Sequence, residues 1–354
     1  PARLSRLSPL GARLIGDGAH LRAIIGSAWS VVVLAGLVTG VVAGLHVGAL
    51  PAPTALPVAV ALALGAVDAF AGAAAACAFI VTLLATGAIS SSDGLRGALG
   101  VAALWFALPL LTGETRPLRR QPLRTAAQRW YRAGDFVVLP PLGAWLTFKL
   151  IKALPGLYGH AIPLGQYAGR IALVAGVALL MRLTVEELAT RLYPVRLTEV
   201  TPEALPAAST AQRLASVALK TTFFVFVAIP FVGVRPELAI GAGLFAFPQF
   251  VKPWESRLPK VTWLHRVLPR GIVKITALVV IGFYAAAYLG RHIHDTSQLA
   301  AAGFLALSVP PAVIALLGLV APAAPAPPAT WRRRALGAAT VSVAGLVIYR
   351  LSVV

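Results

Sequence analysis

The sequence predicts an all-α, polytopic integral membrane protein, a bundle of about eleven transmembrane helices (ten to twelve) with its N-terminus in the cytoplasm. Three observations carry this. Hydrophobic residues make up 58% of the 354 positions, only 12% are charged, and the mean hydropathy is +0.82, far outside the range of soluble domains. Apolar runs of membrane-crossing length recur along the whole chain. The net charge of +19 is concentrated in short segments between those runs, above all in ETRPLRRQPLRTAAQRWYRAGD from Glu114 to Asp135, which carries six arginines against two acids. Basic residues so placed orient helices across a cytoplasmic membrane and argue against a nucleic-acid surface, for which no soluble domain is available.

The N-terminal segment, residues 1–23, carries Arg3, Arg6, Arg13 and Arg22 against Asp17 and is expected inside, as an interfacial helix. The first helical group, residues 24–112, begins with a span from Ile24 to Val47, too long and too often repeated to be a cleaved signal. The next 40 apolar residues are expected to split at Asp68 into short spans 53–67 and 70–89, because a single helix there would put the arginine loop outside. The first of the pair is too short to cross easily, since 15 residues rise only about 22 Å. After SSSDG, a fourth span covers 95–111 and delivers the chain to the Arg-rich loop, residues 113–135.

Within that loop, TAAQRWYRAG is expected as a surface helix, and Arg119, Arg120, Arg124, Arg129 and Arg132 as contacts for anionic lipid headgroups. Spans 5 and 6 occupy residues 136–183, the fifth with Pro140 and Pro141 near its inner end. An amphipathic connector covers 184–220. Residues 221–322 hold spans 7 to 10: two short Pro-interrupted helices turning at VRPE, a ninth at 275–289 and a tenth at 299–320 with Pro310 and Pro311 at its middle. A Pro-rich basic linker, 323–334, leads to the last span within 335–354. In this arrangement 24 of the 31 lysines and arginines fall on the inside. The helices form one membrane domain, and 25 arginines against six lysines is the bias of a GC-rich bacterial genome.

Catalytic motifs fail on inspection. The stretch EELATR, with Glu186, Glu187 and Arg191, has the EExxxR spacing of CAAX-processing membrane proteases, but the next histidine is His265, in a basic loop. A Glu187–Arg191 helix pair accounts for the spacing. DGLRG, Asp93 to Gly97, is similar to the entry of membrane acyltransferases that modify cell-surface sugars, yet LGVAALWFALPLL lacks the histidine that the family uses. His292, His294 and Asp295 in RHIHDTSQ form too small a ligand set for zinc. The lone Cys77 reads as a small packing residue, and with one cysteine there is no internal disulfide. No metal or cofactor site is expected; haem, pyrophosphate-metal and nucleotide fingerprints are missing.

The candidate substrate-binding residues are ionisable groups at membrane depth. Lys149 and Lys152 share a helix face with Trp145, about 13 Å and 9 Å along the helix from Tyr158. Asp68 and Glu237 occupy turns of the two short helix pairs, at matching places if helices 1–5 and 6–10 form a 5+5 inverted repeat. These features point first to a permease-like protein that binds or moves a small anionic or lipid-linked solute. A membrane-embedded scaffold subunit of an envelope or secretion complex is the alternative, and an enzyme acting on a lipid-linked substrate the third. Expected partners are anionic membrane lipids and possible protein subunits, with no nucleic acid; the expected location is the cell (plasma) membrane.

Overall fold

The computed structural model describes residues 14–47, 52–159, 161–200, 209–261, 264, 268 and 272–321, with the stretch 115–125 excepted. Every regular element among them is helical. Five helical stretches are long and apolar enough to cross a membrane: Ala19–Leu45, Arg132–Tyr158, Pro163–Leu192, Thr210–Val232 and Gln298–Val320. Two shorter apolar helices join them, Ala55–Val67 and Ala69–Ala85. The chain divides into two compact units, Pro1–Pro206 and Ala207–Val354, with the boundary inside the expected connector.

The first unit holds helices α1 (Ala19–Ile25), α2 (Trp29–Leu45), α3 (Ala55–Val67), α4 (Ala69–Ala85), α5 (Ser92–Glu114), α6 (Ala126–Tyr158), α7 (Ala168–Leu192) and α8 (Pro194–Val200). A 3-10 turn, Gly26–Ala28, joins α1 to α2. Glycine sets the helix spacing here. Gly36, Gly40 and Gly44 recur every four residues along α2 and lie against α4, so its backbone approaches closely. A Cβ at Gly36 would stand 2.5 Å from the Ala71 carbonyl oxygen, and one at Gly44 would stand 2.7 Å from Thr82 Cβ. Gly65 of α3 and Gly72 of α4 likewise leave room for the Trp105 carbonyl of α5, whose indole packs 5.2 Å from the Phe79 ring. Along α6 the buried stripe Gly143, Thr147, Ile151, Leu154 and Tyr158 faces inward, with Tyr158 over Gly97 and Leu157 over Gly100 of α5.

The expected split at Asp68 is present, and α3 is only 13 residues long. Asp68 ends α3 with an extended backbone and caps α4, accepting from Phe70 N–H at 2.9 Å. Several boundaries differ from expectation. The described part of the N-terminal segment, residues 14–23, is largely buried, with Ala19 and Ala23 packed against Ala189 of α7 and Leu197 of α8, because its small residues and paired charges fit a protein interior better than an interface. The surface helix expected at TAAQRWYRAG is the start of α6, a 33-residue helix with Pro140, Pro141 and Pro155 inside it. The sixth helix runs on to Leu192, because Glu186 pairs with Arg182 one turn earlier and Glu187 pairs with Arg132 of α6. Cys77 is exposed on α4, where a buried packing residue was expected. Helix α7 belongs to the first unit, packed on α6 and α3.

The second unit holds α9 (Thr210–Val232), α10 (Pro236–Val251), a 3-10 turn (Lys252–Arg257), α11 (Ile272–His292) and α12 (Thr296–Val320). A capping box opens α9 eleven residues before the expected start: Gln212 N–H donates to Ser209 Oγ at 3.2 Å and Ser209 N–H donates to Gln212 Oε1 at 3.0 Å. The expected VRPE turn separates α9 from α10. Phe224 stacks between Phe245 and Phe304, at 4.7 Å and 5.6 Å, and joins α9, α10 and α12. Pro310 and Pro311 lie within α12 without ending it. Lys260 Nζ donates to the Leu319 carbonyl at 2.8 Å and ties the segment after α10 to the end of α12. The linker 323–334 and the last span, 335–354, lie outside the described residues, as do Arg119, Arg120 and Arg124; Arg129 falls on α6.

Candidate functional site

The densest chemistry in the first unit is a buried charge cluster where the N-terminal segment, the α3–α4 turn and α7 meet. Arg182 is at its centre, 4% exposed. Its fork is bidentate on Asp17, with Nη1 donating to Oδ2 at 2.8 Å and Nη2 donating to Oδ1. Nε donates to Glu186 Oε1 at 2.9 Å, and Nη1 donates also to the Ala66 carbonyl at 3.2 Å. All three guanidinium nitrogens are thus engaged with protein. Helical spacing places Arg182 and Glu186 one turn apart on the inward face of α7.

Asp17 also accepts from the Ala69 N–H at 3.1 Å, so it covers a free donor at the start of α4. Asp68, on the turn itself, accepts from the Trp29 indole N–H and from Phe70 N–H. Both aspartates therefore serve the start of α4, and Asp68 also ties it to α2 through Trp29. Gly18 is required at this junction, because a Cβ there would lie 2.6 Å from Asp68 Oδ2. Full burial raises the Asp68 carboxyl above the ordinary carboxylate range, and the nearby Asp17 adds to the shift; the Trp29 and Phe70 N–H groups and Arg22 oppose it.

Arg22 is buried too. Nη2 donates to the Ile15 carbonyl at 2.6 Å and to the Val200 carbonyl at 3.2 Å, and its guanidinium lies 5.1 Å from the Trp29 ring centroid. Asp17 and Glu186 thus face Arg182, and Arg22 lies near Asp68. Such an arrangement holds helices in register. Beside it, Glu187 accepts from Arg132 of α6 and from Arg191 at 2.5 Å, so the two glutamates of EELATR serve different partners. The cavity between Arg132, Phe136, Leu183, Glu186 and Glu187 is about 10 Å³, room for about one water.

The structure thus brings Asp68 and Glu186 into one cluster and Glu187, Arg191 and Arg132 into its neighbour. It places the other candidates elsewhere. Lys149 and Lys152 are exposed on α6, opposite the buried stripe, and Trp145 is half-buried on the same helix; Lys152 Nζ lies 6.0 Å from the Phe148 ring. Glu237 is half-buried in the first turn of α10, in the other unit. His292 and His294 are exposed, with His292 Nδ1–H donating to the Tyr288 carbonyl at 2.8 Å, and Asp295 lies on the turn that follows. Among the described residues no three His, Cys, Asp or Glu side chains gather as metal ligands.

Sequence reasoning passed over Asp17 and Arg182 as mere topology charges. A usable signal was present, since Arg182 stands in the apolar run ALLMRLT one helical turn before Glu186. No protein family, curated protein or solved structure matches this chain.

Proposed function

We propose that the chain is a scaffold subunit of a larger assembly in the plasma membrane, crossing it about eleven times with the N-terminus and the Arg-rich loop inside. Ten of these crossings are assigned to α2 to α7 and α9 to α12, and the eleventh to the apolar run 335–353. The observation that carries the reading is the division of charge in the first unit. Inside, Arg182 commits all three guanidinium nitrogens, and four of its five N–H donors, to Asp17, Glu186 and a backbone carbonyl. Outside, Lys149 and Lys152 are turned away from the helices that α6 packs on. A carrier keeps its ionisable groups where they face a pathway, whereas a scaffold locks them inside or presents them to neighbours. The arginines of residues 113–135 add attraction for anionic lipid, on the order of 1 kcal/mol each near the surface.

Extraction of the tagged protein into nanodiscs, followed by mass spectrometry of proteins and lipids together, separates this reading from the permease-like one. Other membrane proteins in stoichiometric amounts are the expected result. A lone chain with one enriched anionic solute would instead support transport.

A further inference from the structure

We propose that the outward face of α6 is a docking surface for a membrane-spanning helix of another protein, one that carries an aspartate or glutamate in the outer part of the membrane. The inference rests on the scaffold reading and names the kind of neighbour it requires. Its basis is a contrast among the outward faces of the first unit. On α2 that face is aliphatic, with Val31, Leu34, Val38 and Leu45 all more than half exposed. On α7 it is Leu173, Val177 and Met181. These surfaces suit lipid tails. The exposed face of α6 also has aliphatic residues, Val137 and Leu150, but adds Pro141, Lys149, Lys152, Ala153 and Gly156 to them.

Two cations at that depth are costly against hydrocarbon. Lys152 lies about 9 Å along the helix from Tyr158 and can reach toward headgroups; Lys149 is one turn deeper, at about 13 Å. Lys149 makes no hydrogen bond or ion pair with any described residue. A carboxylate on a neighbouring helix at the same depth would neutralise it. Ala153 and Gly156 would let the two backbones approach closely enough for that pair to form. Among the described residues a second copy of this chain offers no such group. Every carboxylate among the described residues either belongs to an internal pair or lies at a turn or toward a membrane-edge end of its helix, as Asp135, Glu237 and Asp295 do.

The test places the photo-crosslinking residue benzoylphenylalanine at position 153 of the full chain and irradiates native membranes. The expected product is heavier than the monomer, and its crosslinked peptide maps to an apolar helix of a different protein that contains Asp or Glu. In the Lys149→Gln, Lys152→Gln double variant the product falls by about tenfold or more, as removal of one member of a desolvated charge pair requires. Lys149→Glu abolishes it, and changing the identified carboxylate to Lys restores it. Both positions are exposed, so the variants are compared at equal yield of monodisperse protein. Crosslinks confined to phospholipid, to this chain or to a second copy overturn the proposal, as does a product unchanged in the double variant. Stoichiometric partners in the nanodisc extraction together with lipid-only crosslinks overturn the docking face and leave the scaffold reading standing; absence of partners overturns both.

Discussion

Arg182 shows how much one side chain can decide. Replacing it with alanine leaves Asp17 and Glu186 buried without their shared cation, a loss of about 3 to 5 kcal/mol. Arg182→Ala is therefore expected to lower the melting temperature in detergent steeply and to open the N-terminal segment to protease, with Arg182→Lys recovering only part because it lacks the fork. Asp68 gives a pH signature. Its folded-state pKa is raised, so its contribution to stability is fully present below the ordinary value of about 3.9 and is lost as pH rises through the raised value. Asp68→Asn cannot ionise. The melting temperature of the variant minus that of the parent is expected to increase with pH across that window and then level off; a difference that does not change with pH would show that Asp68 carries no such shift. Of this chemistry, Asp68 was legible in the sequence as a carboxylate between apolar runs, and Glu186 through the EExxxR spacing. Their association was not, since Asp17 and Arg182 are 165 residues apart and only folding brings them together.

At the scale of the element, the seam between α2 and α4 depends on small residues rather than on interlocking large ones. Gly40→Val places a branched side chain against the Ala75 backbone, which cannot yield as a flexible side chain does. Overpacking of this kind costs about 1 to 3 kcal/mol. Gly40→Val is expected to lower thermal stability by more than the same change at Gly169, which has open space around it; equal effects at the two sites would mean that the seam is not tight. Helix existence was legible almost throughout, because apolar runs and polar turns alternate clearly, and the break at Asp68 followed from charge placement alone. Helix ends were not. Helix α6 begins inside the arginine loop and α7 continues past the apolar run, since polar residues such as Arg132 and Glu187 extend a helix once they pair across it. The spacing of Gly36, Gly40 and Gly44 is visible in the sequence, whereas the face of α4 that receives it is defined only in the fold.

For the whole molecule, the topology makes a direct prediction. With Cys77→Ser as background, a cysteine at Ser91 is expected to react with a membrane-impermeant maleimide on intact cells. One at Ala211 is expected to react only after permeabilisation, and labelling of both from the same side would overturn the charge-based orientation. Composition was enough to establish the membrane class, because no soluble fold accommodates 58% hydrophobic residues with so few charges. The grouping of helices was not, since α7 is assigned to the first unit by contacts rather than by any pattern in its own residues. The tie between Asp17 and Arg182 also orders events in time. At about 5 to 20 residues per second, the ribosome releases Asp17 some ten to thirty seconds before Arg182 exists. During that interval the nascent chain carries an uncompensated acid next to the membrane, and α1 cannot settle. Asp17 and α1 are thus synthesised before the arginine that holds them, and the arrival of α7 is the event that completes the charge cluster.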